Sequence, residues 1–264
     1  MDTERMLTLY DQDRREVRLT GWRREETPRL VRHISADGEG LIVYTDLDDG
    51  NAEAVIGEQI AHFEAVGSDV TWIVYGHDRP ADLKDRLLSR GFQAEEPEAT
   101  MVLEVESAPP VLLLAVSQDI RRVVDANGVE DVVSVRRQVW PGDYSSTAQS
   151  LLQRLQEAPH TLALYVAYVD GRPASTGQIS FYERGQFASL VGAATLPAYR
   201  GRGLYTALLA TQVQEARQRS MRFLDADASP MSRPIYEKHG FRWLTDAQAC
   251  VWQARPSDSE GPEG

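Results

Sequence analysis

Thr195-Leu196-Pro197-Ala198-Tyr199-Arg200-Gly201-Arg202-Gly203-Leu204-Tyr205 joins a strand-like segment to a helical one through a basic, glycine-rich turn. Before it, Phe187–Leu196 is composed like a buried strand. After it, apolar residues recur at helical spacing from about Gly203 to Arg219. A strand that turns through two glycines and two arginines into a long helix makes a place for an anion. The first N–H groups of a helix have no internal acceptor and point outward. The helix dipole adds partial positive charge at the same end. Glycine lets the backbone close on a ligand where a Cβ would intrude. Arg200 and Arg202 add full charges, and the sum suits a pyrophosphate.

Other phosphate-binding turns fit less well. A dinucleotide fingerprint needs a third glycine where Thr206 stands, although Asp225 lies about twenty residues on at a strand end. A P-loop needs Gly-Lys-Ser/Thr, and the sequence has none. A basic surface turn that uses glycine only for backbone geometry remains the plain alternative.

Working outward, the spacing predicts strands at Val111–Val116 and Ile120–Val124, helices over Val129–Val139 and Ser146–Glu157, and strands at Leu162–Val169 and Arg172–Tyr182. Asp170-Gly171 is the hairpin turn between the last two. Downstream come a strand at Arg222–Ala226, a short helix at Arg233–Lys238, and a hairpin of Phe241–Leu244 with Ala249–Ala254. In the first half, Pro28–Ser35 reads as strand or short helix, Leu41–Thr45, Val70–Tyr75 and Ala99–Val105 as strands, and Ala52–Val66 and Ala81–Arg90 as helices. Ser107-Ala108-Pro109-Pro110 interrupts the pattern and marks a domain boundary.

The two halves follow one plan. Gly91 and Gly240 each close a short helix 149 positions apart, and Met101 and Cys250 have the same offset. Trp72–Tyr75 overlays Arg222–Asp225, and Tyr44–Asp46 overlays Ala194–Leu196, both at 150. The copies differ at the loop after the latter strand. Where the second half has its Arg-Gly-Arg-Gly turn, the first has Leu47-Asp48-Asp49-Gly50-Asn51, whose carboxylates repel phosphate.

Arg200-Gly201-Arg202-Gly203-Leu204-Tyr205 resembles motif A of the GNAT superfamily (GCN5-related N-acetyltransferases), written Arg/Gln-x-x-Gly-x-Gly/Ala. Arg200 and Gly203 match, while Tyr205 stands where Gly or Ala is usual. Pro234-Ile235-Tyr236-Glu237-Lys238-His239-Gly240-Phe241 resembles the family's late LYEKLGF segment, and the likeness covers roughly residues 111–254. Leu83–Phe92 is a fainter likeness in the first half. The resemblance implies an α/β protein of two GNAT-like domains, each a mixed, mostly antiparallel twisted sheet flanked by helices. Residues 1–108 would be a degenerate copy, 109–254 the catalytic domain, and 255–264 a disordered tail.

By the same resemblance, acetyl-CoA is the co-substrate. The backbone of Ala194, Thr195 and Leu196 would pair with its pantetheine arm. The N–H groups of Gly201, Arg202, Gly203, Leu204, Tyr205 and Thr206 would hold its pyrophosphate, with Arg200 and Arg202 as side-chain contacts. Tyr236 aligns with the general acid that protonates the departing thiolate. Ser229 stands where the family often has Asn beside the cofactor amide. The implied reaction is transfer of an acetyl group to a primary amine by direct attack in a ternary complex. The alternative is a non-catalytic acyl-CoA-binding regulatory module. Glu183, Asp225 and Asp227 border the expected cleft as weak candidates for a base, each more readily read as a solvated acid.

The remaining composition sets limits. A net charge of -12 argues against nucleic-acid binding and weakly favours amine acceptors, small or peptidic. One cysteine, Cys250, allows no internal disulfide, and the five histidines lack metal spacing, so no metal site is expected. No run reaches the roughly 20 apolar residues of a membrane span, and Met1–Arg5 does not open a signal peptide. A cytoplasmic enzyme is expected, its first half shaping the acceptor pocket or a homodimer surface.

Overall fold

The computed structural model describes residues 2–254; the expected tail 255–264 lies outside them. In chain order the elements are α1 (Thr3–Glu16), β1 (Arg23–Glu26), β2 (Leu30–Ile34), β3 (Gly40–Thr45), α2 (Ala52–Val66), β4 (Val70–Tyr75), α3 (Leu83–Ser89), β5 (Gln93–Ala94) and β6 (Glu98–Glu104). They continue with β7 (Asp119–Arg122), α4 (Ala126–Val139), α5 (Ser145–Glu157), β8 (Leu162–Val169), β9 (Arg172–Phe181), β10 (Phe187–Thr195), α6 (Leu204–Gln218), β11 (Phe223–Ala228), α7 (Arg233–Lys238) and β12 (Arg242–Trp252).

These elements form two compact units, and the chain passes between them twice. Among the described residues, the first unit contains those up to Ala99 together with 245–254; the second is Thr100–Leu244. The boundary expected near Ser107–Pro110 is therefore replaced by divisions at 99/100 and 244/245. Pattern alone could not show this, because a strand's apolar alternation does not say which neighbour it joins.

In the first unit, β1, β2 and β3 form an antiparallel meander, and β3 then pairs parallel with β4. On its other side, β4 pairs antiparallel with Ala247–Trp252. Residues from both ends of the sequence build one core, in which Cys250 and Trp252 pack with Leu30, Ile42, Trp72 and Phe92. In the second unit, β7 to β10 form an antiparallel meander and β10 pairs parallel with β11. Val129, Val132 and Val133 of α4 cover Leu162, Leu164 and Val166 of β8. Each unit is thus a mostly antiparallel sheet with helices against it, as expected. The plan recurs between units, since α2 and α6 are both 15 residues and β4 and β11 both 6.

Two local expectations are corrected, and two elements went unread. Val111–Val116 forms no strand. Pro110 opens a 3-10 turn instead, and the carbonyls of Leu112 and Leu114 accept from Gln214 Nε2. The predicted final hairpin is one continuous strand, β12, with Thr245 and Ala247 buried along its length. The elements α1 and β1 carry no strong sequence signal. In α1 only Met6 and Tyr10 form its buried apolar stripe, and β1 is the wholly charged Arg-Arg-Glu-Glu.

Among the described residues no helix is long and apolar enough to cross a membrane.

Candidate acyl-CoA and acyl-transfer site

The site grows from the point where β10 and β11 part. They pair only from Phe187–Ser189 with Phe223–Asp225, held by stacked rings of Phe187 and Phe223 with centroids 4.6 Å apart. Beyond Ser189, β10 bulges between Val191 and Ala194, and Gly192 adopts φ +60. A bulge bends its strand and raises its twist, so β10 swings away and the paired strands open into a slot. Asp225 marks the apex; it is 3% exposed, and both carboxylate oxygens accept from Ser189 Oγ at 2.9 and 3.1 Å.

The mouth of the slot is the glycine-arginine turn. Pro197–Tyr199 form one 3-10 turn, and Gly201 and Gly203 take φ +75 and +76, a region where side chains are strained. A Cβ on Gly201 would meet nothing within 4 Å, so the turn opens onto free space. The first intrahelical bond of α6 runs from Ala207 N–H to Gly203 O at 3.0 Å. The N–H groups of Leu204, Tyr205 and Thr206 precede it and offer the dipole's positive end to an anion. Arg200 Nε donates to Thr195 O at 3.2 Å, and the Arg202 guanidinium lies 5.3 Å above the Tyr199 ring. Both arginines thus brace the turn while exposed at its rim.

The backbone groups expected to pair with a pantetheine arm are not equivalent. Leu196 N–H donates to Ala174 O, and Ala194 O accepts from Ser175 Oγ at 2.9 Å. Thr195 lies between them, and its backbone points the other way. Ser229 turns inward on its own chain: its Oγ is 3.2 Å from Ser232 Oγ and accepts from Ser232 N–H, shaping the entry to α7.

Tyr236, on α7, is 7% exposed and is packed edge-on against Tyr205 and Phe241 at 6.1 and 5.0 Å between centroids. Tyr205 is the residue at the motif's unusual position. Its ring packs edge-on against Tyr236 and His239, and its hydroxyl is hydrogen-bonded to Tyr236. Burial, then the Tyr236 charge and that hydrogen bond, push the Tyr205 hydroxyl far above its ordinary acidity range. His239 locks the two helices together. Its Nδ1 donates to Ile235 O at 2.7 Å, which leaves Nε2 facing Thr206 Oγ1 at 3.0 Å.

The carboxylates considered as bases are dispersed. Glu183 lies in the exposed turn joining β9 and β10, at the closed end of the β10–β11 pair and away from the slot. Asp227 accepts from Thr100 Oγ1 at 2.7 Å, and only Asp225 sits at the apex. Sequence reasoning missed Arg136 and His239. Arg136 interrupts the apolar stripe Val129–Val132–Val133 of α4 at the next helical step, and a charge at that position was the available signal.

The corresponding loop of the first unit closes on itself. The N–H groups of Gly50 and Asn51 donate to Asp48 Oδ1 at 2.8 and 3.1 Å, and Asp48 N–H donates to Asn51 Oδ1 at 3.1 Å. A carboxylate of the chain occupies the place where the second unit leaves N–H groups open.

The model of the acetyltransferase (GNAT) family matches residues 129–241. Curated proteins give no significant sequence match. The fold is similar to that of solved structures over nearly the whole chain. A GCN5-related N-acetyltransferase from Kribbella flavida has a TM-score of 0.69 at 15% identity, with 94% of this chain and 95% of that one covered. A functionally unknown conserved protein from Staphylococcus epidermidis ATCC 12228 scores 0.64 at 14% identity, covering 91% and 96%. A tandem GNAT protein from the clavulanic acid biosynthesis pathway scores 0.60 at 14%, covering 92% and 86%. Residues 129–241, which contain the slot from bulge to Tyr236, are thus the part of the chain that is similar to the acetyltransferase (GNAT) family.

Proposed function

We infer that the protein is an acetyl-CoA-dependent N-acetyltransferase acting on a primary amine, small or peptidic, with one active site per chain. The observation that carries this reading is the parting of β10 from β11 behind an open turn of helix-terminal N–H groups. The residues present fit acetyl-CoA: Leu204, Tyr205 and Thr206 N–H with Arg200 and Arg202 for the pyrophosphate, and the β10 edge at Thr195 for the extended arm. Bound there, acetyl-CoA supplies an activated thioester.

Direct attack in a ternary complex requires the amine in its neutral form. The new N–C bond forms as the C–S bond breaks, and the departing sulfur takes the proton held at Tyr236 Oη. Tyr205, itself unable to ionise at ordinary pH, then donates to the Tyr236 phenolate and stabilises it until the proton that the acylated nitrogen gives up to solvent is returned to Tyr236. The first unit is a degenerate copy of this plan in our reading, because Asp48 fills its own anion turn.

Titration calorimetry with acetyl-CoA, followed by thiol-release assays over a panel of amines, tests the proposal. Binding and turnover are expected for the native protein, and Gly203→Trp should lose binding while keeping its fold. Binding without thiol release on any amine would favour a non-catalytic acyl-CoA-binding module. Undiminished affinity in Gly203→Trp would assign the wrong loop.

A further inference from the structure

Arg136 has a role that the reading above does not use. It sits in the third turn of α4, is only 6% exposed, and has no carboxylate partner among the described residues. Its Nε donates to Gly192 O at 3.2 Å and its Nη2 to Gln178 Oε1 at 3.1 Å. A guanidinium carries five N–H donors, and the others find no acceptor among the described residues. A buried cation without a counter-charge is costly, and burial pulls the Arg136 guanidinium below its ordinary range. Such a group is retained where something else supplies the anion.

Its position says where that anion would come from. Gly192 is in the bulge of β10, between the phosphate turn and the apex of the slot. A Cβ at Gly192 would stand 2.5 Å from Arg136 Nη2, so guanidinium and slot backbone are in direct contact. Arg136 also begins a line of polar groups. Gln178 Nε2 donates to Ser180 Oγ at 3.3 Å, Ser180 lies opposite Ser189 in the β9–β10 register, and Ser189 Oγ donates to Asp225. Paired residues share a sheet face, so this line crosses one face from a buried cation to a buried carboxylate. Thr176 Oγ1, two residues before Gln178, is enclosed there without a hydrogen-bond partner.

We propose that Arg136 binds a carboxylate carried by one of the two substrates, either an amine acceptor bearing a carboxylate or a dicarboxylic acyl group. The assignment rests on the acyltransferase reading and adds a substrate class to it. The Nε bond to Gly192 holds the bulge, and the remaining donors of the fork face the incoming carboxylate.

The test compares matched substrates on the full-length protein. One arm measures kcat/KM with acetyl-CoA for amino acids and for the amines that lack only their carboxylate. The other measures succinyl-CoA against acetyl-CoA with one uncharged-tail amine. In one arm the native protein should prefer the carboxylated member by roughly tenfold or more, as expected for a charge-assisted pair. Arg136→Gln should remove that ratio and Arg136→Lys should restore part of it. The ratio is taken within each protein, so a loss of folded material does not imitate the result. No preference in either arm, or equal loss for both members of the pair in Arg136→Gln, would overturn the proposal and leave Arg136 as a brace for the bulge. Failure of the native protein to bind either acyl-CoA would instead bring down the acyltransferase reading, and this assignment with it.

Discussion

Tyr236 and Tyr205 divide two tasks between similar side chains. Tyr236→Phe keeps the ring packing against Tyr205 and Phe241 and removes the hydroxyl that carries the proton. We expect kcat to fall about 10²- to 10⁴-fold with little change in KM for acetyl-CoA, measured by steady-state thiol release. Tyr205→Phe removes a hydrogen bond to Tyr236. It should lower kcat about tenfold and shift the alkaline limb of the pH–rate profile upward, because the Tyr236 phenolate loses its donor. An unmoved alkaline limb would show that the pair is only packed. At this scale much was legible. The glycine turn was legible from residue type and spacing, and Tyr236 only through the resemblance of Pro234–Phe241 to a family segment, whereas Arg136 and His239 needed a third dimension. Arg136 looks like a surface arginine until Gly192 is bent toward it, and His239 until Thr206 comes within 3.0 Å.

Among elements, the turn after β4 shows how local charge couples to stability. His77 Nδ1 is 3.0 Å from Thr245 Oγ1, and Nε2 is 2.8 Å from Asp11 Oδ1 of α1. Burial alone would lower the His77 pKa, but the hydrogen bond and charge of Asp11 outweigh it, and the net shift is upward. Its contribution is therefore present below the ordinary histidine pKa and lost as pH rises through the raised one. His77→Gln should cost about 1–2 kcal/mol near pH 5.5 and less at pH 8.5, followed by urea melts. Asp78 is pushed up to about 6 by burial, against the opposing Tyr75 N–H bond. Its ionisation also withdraws stability as pH rises, through pH 6, and Asp78→Asn should flatten that part of the curve. The elements themselves were largely readable, since α2, β4 and α7 lie where periodicity puts them. The exceptions have physical reasons. An edge strand such as Arg23–Glu26 has no apolar face to betray it, and Pro110 denies Val111–Val116 the ladder its composition suggests.

For the whole molecule, the pairing of sequence ends is the property that pattern could not convey. Cys250 and Trp252 belong to the core formed by Leu30, Trp72 and Phe92, although the second unit intervenes in the chain. A chain ending at Leu244 should keep its second unit and lose the first. Hydrogen exchange would then find protection over 100–244 and little before residue 99; a protected first unit would refute the assignment. Loss of the Trp252 side chain alone, in Trp252→Ala, should cost about 3–5 kcal/mol. The same connectivity bears on synthesis. A ribosome emits the chain from its amino end, and domains ordinarily fold in that order. Here the segment Thr100–Leu244 is continuous and can mature as it emerges, while the earlier-made half waits for the last strand. The younger half is finished first, and a prematurely terminated product carries an unfinished amino-terminal half that exposes its apolar strands to quality control.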